Sequence, residues 1–168
     1  MQKNTKSTIF IARIGVISAL YVVLSLVSIP VGAIQFRASE GLTILPLLLP
    51  ESVISLFVGC VITNLITGCA LLDIVLGSII TLLAGLLTYF CGKIIKNLAL
   101  KFIVGGTFPV ILNALFLPLI WSVCYGAGEY VYIVQALILL ASQSVSVYGV
   151  GSAVFFSVRK IKGIGEML

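Results

Sequence analysis

The chain has 168 residues, of which 61% are hydrophobic and 9% charged, with a formal net charge of +5 and a mean hydropathy of +1.28. Several apolar runs reach about 20 residues or more, which excludes an ordinary soluble domain and leaves room for five or six membrane spans and little else. No basic stripe with interleaved aromatics is present, so the positive charge is not a nucleic-acid footprint.

The first predicted span covers residues 8–29, from Thr8 to Ile29, and ends near Pro30 and Gly32. It is too long for the apolar part of a cleaved signal, it carries Arg13, and further spans follow it. A polar loop, Gln35 to Glu40, comes next. Residues 42–66 are apolar but broken by Pro46, Pro50 and Glu51. They read either as one kinked span or as two, 42–50 and 52–68, turning at Pro50-Glu51. Asp73 opens a span over 73–92, and 102–126 and 130–158 complete the chain.

The charges decide between five spans and six. Lys3, Lys6 and Arg13 open the chain, Lys93, Lys96 and Lys101 share one polar gap, and Arg159, Lys160 and Lys162 close it. Arg37 is the single cation outside these clusters. Glu40, Asp73 and Glu129 fall in separate gaps of their own. Lys and Arg concentrate in cytoplasmic loops, and a turn at Pro50-Glu51 puts all three basic clusters on one face. It also spares Glu51 the roughly 2.5–3.5 kcal/mol cost of a charge at the bilayer centre. The expected fold is therefore an all-α integral membrane protein, a six-helix bundle forming one transmembrane domain over 1–168, with both termini cytoplasmic. The second span is its weak point, because nine helical residues cover only ~14 Å.

Several chemistries lack their residues. No GxxxxGK[ST] occurs, so the chain has no phosphate cradle with which to use ATP. Histidine is absent, as are GxSxG and HExxH, and no enzyme activity is expected. Cys60, Cys69, Cys91 and Cys124 lie at unrelated spacings and read as small core residues, not as metal ligands or disulfides.

Three polar groups remain. The loop from Gln35 to Glu40 is either a solvated turn with an Arg37–Glu40 pair, worth about 0–1 kcal/mol, or a lid over a ligand. The segment from Asn64 to Asp73 brings an amide and a carboxylate around a glycine turn, with Asp73 also suited to cap the following helix. Asn113, Trp121, Tyr125 and Glu129 precede the last span, where the aromatics would equally suit an interfacial belt. Gln143 lies within the last span, in reach of the same side. Small residues at Gly15 and Ala19, Ser122 and Gly126, and Ser142 and Ser146 allow close helix approach, inside the bundle or against another protein.

The run QFRASEGLTILPLLLPE (35–51), followed by Gly59-Cys60, Asn64, Gly68, Asp73, Gly77-Ser78, TLLAG (81–85), Pro109 and Asn113, resembles the QueT family of substrate-binding S components of energy-coupling factor (ECF) transporters. The resemblance covers most of the chain. It implies a six-helix bundle that binds, from outside, a 7-deazaguanine precursor of queuosine such as 7-aminomethyl- or 7-cyano-7-deazaguanine, or queuine. It also implies a transmembrane coupling subunit and two ATPase subunits that use ATP, with no cofactor in this chain. Gly15 and Ala19 look like the small-residue face on which such components dock. The family's Gly-Glu in the last span is here Ser142-Gln143, which leaves open the choice among precursors. A carboxylate accepts two adjacent donors of a guanine-like edge, and such bonds are worth about 1.5–3 kcal/mol. Arg37, Glu40, Asn64, Asp73, Asn113, Trp121, Glu129 and Gln143 are the candidate substrate-binding residues. An S component for another vitamin-like solute, or a standalone channel or scaffold, are the alternative readings.

Overall fold

The computed structural model describes residues 2–27, 29–31, 34–126 and 129–161. The side chains of Lys3, Lys6, Gln35 and Glu129, and all of Lys162, lie outside the described residues. Helix α1 (Gln2–Leu26) leads into a short antiparallel hairpin, β1 (Ile29–Val31) and β2 (Ile34–Phe36). A 3₁₀ helix (Ala38–Leu47) follows, then α2 (Ser52–Ile66), α3 (Leu71–Ile94) and α4 (Leu98–Tyr125). The last rod is α5 (Glu129–Ser144), a π-helical turn (Val145–Val150) and α6 (Gly151–Arg159).

Four stretches among the described residues are long and apolar enough to cross a membrane: Thr8–Leu26, Leu71–Ile94, Leu98–Tyr125 and Val131–Arg159. They correspond to four of the six predicted spans, with ends displaced by a few residues. The other two differ from expectation. α2 has 15 residues, about 23 Å at 1.5 Å per residue. The expected span over 42–50 is a 10-residue 3₁₀ helix beginning at Ala38, about 20 Å at 2.0 Å per residue. Neither matches a ~30 Å hydrocarbon core.

The 3₁₀ helix has a local cause and a tertiary one. Pro46 has no N–H with which to continue an α-helical ladder, and the amides of Leu48 and Leu49 both turn back to the Leu45 carbonyl at 2.9 Å. Every residue from Ser39 to Leu49 is buried. Its leucines and isoleucine form the core with Ile17, Tyr21, Leu56, Val110, Val147 and Phe155. The segment expected to be a polar loop therefore ends inside the protein: Ser39 and Glu40 already belong to the buried helix.

Contacts give each element its direction. At one end of the 3₁₀ helix Glu40 accepts from the Tyr21 hydroxyl (3.2 Å). Beyond its other end Glu51 pairs with Arg13 at 2.8 Å, so the segment runs antiparallel to α1. The expected Arg37–Glu40 pair is not formed; Arg13–Glu51 is the one ion pair among the described residues. Glu51, expected to reach the surface, is 6% exposed because Arg13 supplies its counter-charge. Ser18 donates to the Ser55 carbonyl (2.8 Å), which aligns α2 parallel to α1. Thr81 meets Cys60 (3.5 Å), Thr88 donates to the Gly105 carbonyl (3.0 Å) and Tyr148 to the Ile103 carbonyl (2.8 Å). α3, α4 and the last rod thus alternate in direction. The start of α1, the α3–α4 connection with Lys93 and Lys96, and the end of α6 with Arg159 and Lys160 share one end of the bundle. Lys101 is not in that connection but in the first turn of α4, where it is buried.

Two further expectations change. Asp73 does not cap α3: Ala70 holds that position and Asp73 is the third helical residue. Gly126 ends α4 with φ 73°, a left-handed conformation that glycine adopts at low cost, so it is a terminator and not half of a packing face with Ser122. Ser142 and Ser146 are buried inside the bundle, whereas Gly15 and Ala19 lie on the exposed side of α1.

The 3₁₀ helix crosses the last rod with backbone close to backbone. A Cβ on Gly41 would fall 2.8 Å from Val150 Cβ and 2.9 Å from the Gly151 backbone nitrogen. Gly41→Ala is expected to destabilise the protein by about 1–3 kcal/mol, the range for overpacking, read as a lower melting temperature in detergent.

Candidate functional site: a polar cavity at one end of the bundle

Opposite the basic end, the 3₁₀ helix, α3, α4 and α5 enclose a cavity of about 430 Å³, within the usual range for small-molecule sites. Arg37 and Glu40 contribute from the start of the 3₁₀ helix, Cys69 and Asp73 from the α2–α3 turn and α3. Trp121 and Tyr125 come from α4, and Gln135 and Gln143 from α5. Leu117, Ile138 and Leu139 supply an apolar wall. A second space of about 30 Å³ adjoins it, sharing Arg37, Glu40, Asp73, Leu117 and Trp121, and lined further by Tyr21, Cys60, Asn64 and Asn113. It has room for about one water molecule.

Glu40 is the centre of the polar wall. Its carboxylate is 5% exposed, and it accepts from Tyr21 Oη at Oε1 (3.2 Å) and from Asn113 Nδ2 at Oε2 (3.2 Å). Each carboxylate oxygen has two acceptor positions, and the Gln143 side chain is a third donor to the carboxylate. Tyr21 reaches Glu40 because α1 passes alongside the 3₁₀ helix, and Asn113 because α4 crosses on the opposite side. The backbone around Glu40 is held by Thr43, whose hydroxyl donates to the Glu40 carbonyl (2.6 Å).

Asp73 forms a second acidic point. It is 7% exposed, and its Oδ2 accepts from the Trp121 indole N–H (3.2 Å). Tyr125 stands one turn further along α4, its hydroxyl accepting from the Ala70 backbone amide (3.3 Å). These two bonds fix the aromatic residues against the start of α3; Trp121 is a cavity wall, while Tyr125 borders the cavity and stays 61% exposed, as an interfacial belt would have it. On α5, the Gln135 and Gln143 carbonyl oxygens are buried and have no hydrogen-bond partner. A buried acceptor without a donor costs free energy, and both of these belong to residues lining the cavity.

Of the residues singled out from sequence, Arg37, Glu40, Asp73, Trp121 and Gln143 line the large cavity and Asn64 and Asn113 the small one. Asn64 and Asp73 both border the small space, their side chains 3.6 and 3.3 Å from where a Cβ on Gly77 would stand, and the Asn64 amide also lies 3.7 Å from Cys60 Sγ within α2. The Glu129 side chain lies outside the described residues. Sequence reasoning missed Tyr21, Gln135 and Cys69. Gln135 carried a signal, being a second amide in the last apolar run, eight residues before Gln143. Tyr21 carried none, since one hydroxyl in a lipid-length helix is ordinary.

A cavity with polar and charged walls at one end of a bundle of membrane-length helices suits a multi-pass membrane protein that handles a small solute. The match to known families agrees: the model described as QueT transporter fits residues 11–160, and the chain belongs to the QueT transporter family. No curated protein and no solved structure matches it.

The Tyr21 hydroxyl tests how Glu40 is held. Tyr21→Phe removes one of three protein donors from a buried carboxylate, with an expected loss of about 1.5–3 kcal/mol. Chemical denaturation of wild type and variant in the same detergent measures it.

Proposed function

We propose that this chain is the substrate-binding S component of an ECF importer, and that it binds a 7-deazaguanine precursor of queuosine in the cavity around Glu40. The observation that carries this reading is the Glu40 carboxylate, fixed from behind by Tyr21 and Asn113 and open in front to a cavity with an aromatic wall. A 7-deazaguanine offers a ring N–H and an exocyclic amine side by side. The Glu40 carboxylate accepts that pair as the ligand takes the place of the Gln143 amide on it, and charge-assisted bonds of this kind are roughly twice as strong as neutral ones. Trp121 is the residue of the wall best suited to lie against the planar base, with Gln143 available for its remaining polar edge.

In this reading the 3₁₀ helix and α2 are the second and third crossings. The 3₁₀ helix lies buried among the longer helices and need not span the full thickness of the membrane, whereas α2 has an exposed apolar face with Ile54, Ile62 and Leu65. The basic end is cytoplasmic by the positive-inside rule, both termini lie there, and the cavity faces out. The chain has no phosphate-binding loop, so accumulation against a gradient requires a coupling membrane subunit and two ATPase subunits. Gly15 and Ala19 are the docking face: both are exposed, and a Cβ on Gly15 would have nothing within 4 Å.

Glu40→Gln tests the substrate contact. The amide keeps the shape of the carboxylate but turns one acceptor into a donor facing the ligand's own donors. Affinity for 7-aminomethyl-7-deazaguanine should fall by about 30- to 150-fold, some 2–3 kcal/mol, by calorimetry on the detergent-purified chain. Unchanged affinity, with an unchanged melting temperature, would remove Glu40 from the site.

The docking face has its own test. Gly15→Leu with Ala19→Leu places bulk on an open surface, so the fold and ligand affinity should persist while co-purification with the coupling subunit drops. Full co-purification would move the docking surface elsewhere.

A further inference from the structure

We propose that the cavity selects a 7-deazaguanine whose 7-substituent carries a protonated amine, and that Asp73 is its counter-ion; this rests on the reading of the chain as a 7-deazaguanine carrier. The argument begins with the charge of the walls. Among the described lining residues the large cavity has two carboxylates, Glu40 and Asp73, and one cation, Arg37. Arg37 acts electrostatically on Glu40, at the entry to the same 3₁₀ helix. Asp73 is left without a cationic partner: the bond it accepts is from a neutral indole N–H, and the ion pair of the described residues lies at the opposite end of the bundle.

A carboxylate 7% exposed among apolar helices is costly unless a compensating charge reaches it. The first turn of α3, in which Asp73 sits, offsets part of that cost through the positive end of the helix. A cation delivered by the ligand would offset more. The other walls are of the same character, because the Gln135 and Gln143 carbonyl oxygens are both buried without donors and Gln143 is 4% exposed. An ammonium group brings three donors and a positive charge to a cavity with the Asp73 carboxylate and the Gln135 carbonyl to spare. A nitrile brings an acceptor and no charge.

Three compounds of nearly equal size separate charge from shape: 7-aminomethyl-, 7-hydroxymethyl- and 7-cyano-7-deazaguanine. Calorimetry on the detergent-purified full chain at pH 7 should give the aminomethyl compound at least tenfold higher affinity than either neutral one, 1.4 kcal/mol or more. In Asp73→Asn, which keeps an acceptor for Trp121, that ratio should collapse to within about threefold. Equal binding of all three by wild type overturns the proposal without any variant, as does a ratio that survives in Asp73→Asn. Binding of none of the three by wild type overturns the carrier reading itself and this proposal with it.

Discussion

A carboxylate buried among apolar helices has to be surrounded by donors, and Glu40 imposes that requirement on the whole protein. Its donors come from helices distant in sequence, Tyr21 on α1 and Asn113 on α4. The 3₁₀ helix must therefore pass between those two helices, at the depth where the hydroxyl and the amide can reach. The second anchor fixes its other end. Arg13 lies eight residues before Tyr21, about 12 Å along α1, and holds Glu51 at 2.8 Å.

Threading a helix through the centre of a small bundle leaves little space for side chains around it. In lipid the gain from helix association comes mainly from close van der Waals contact, and the chain provides it with small residues where the 3₁₀ helix passes. Gly41 meets Val150 and Gly151, and Gly105 accepts the side chain of Leu47. The π-helical turn at Val145–Val150 lies at the same crossing, with Tyr148 bonded to the Ile103 carbonyl of α4. Directly before that turn stands Gln143, so the packing that accommodates the 3₁₀ helix also sets the height of one cavity wall.

The two ends of the bundle differ in chemistry because its helices alternate. Lys93, Lys96, Arg159 and Lys160 gather at one end, where water and lipid headgroups solvate them. The opposite end has Arg37, Glu40 and Asp73 turned inward to a cavity. Cations at the first end orient a chain in a membrane; the inward charges of the second are held away from water and can act strongly on a solute, because a low dielectric strengthens each contact. A transporter family membership and this division of charge describe the same molecule from two directions.

The sequence by itself determined which stretches are membrane-length helices, since length and apolar character are local properties: α1, α3, α4 and the last rod follow from them. It also made the polar exceptions visible, and Arg37, Glu40, Asp73, Trp121 and Gln143, all polar or aromatic residues close to apolar runs, line one cavity. Only the tertiary structure decided what a local pattern does not encode. Residues 38–47 read as a loop and a short span, yet burial on all sides and Pro46 make them a central 3₁₀ helix. Nearness in sequence favoured Arg37 as the partner of a carboxylate three residues away, but a salt bridge depends on distance in space, and the antiparallel course of the segment gave Glu51 to Arg13 instead. Tyr21 became a functional neighbour for the same reason: its helix was legible, but the face it turns to Glu40 was set by the segment packed against it.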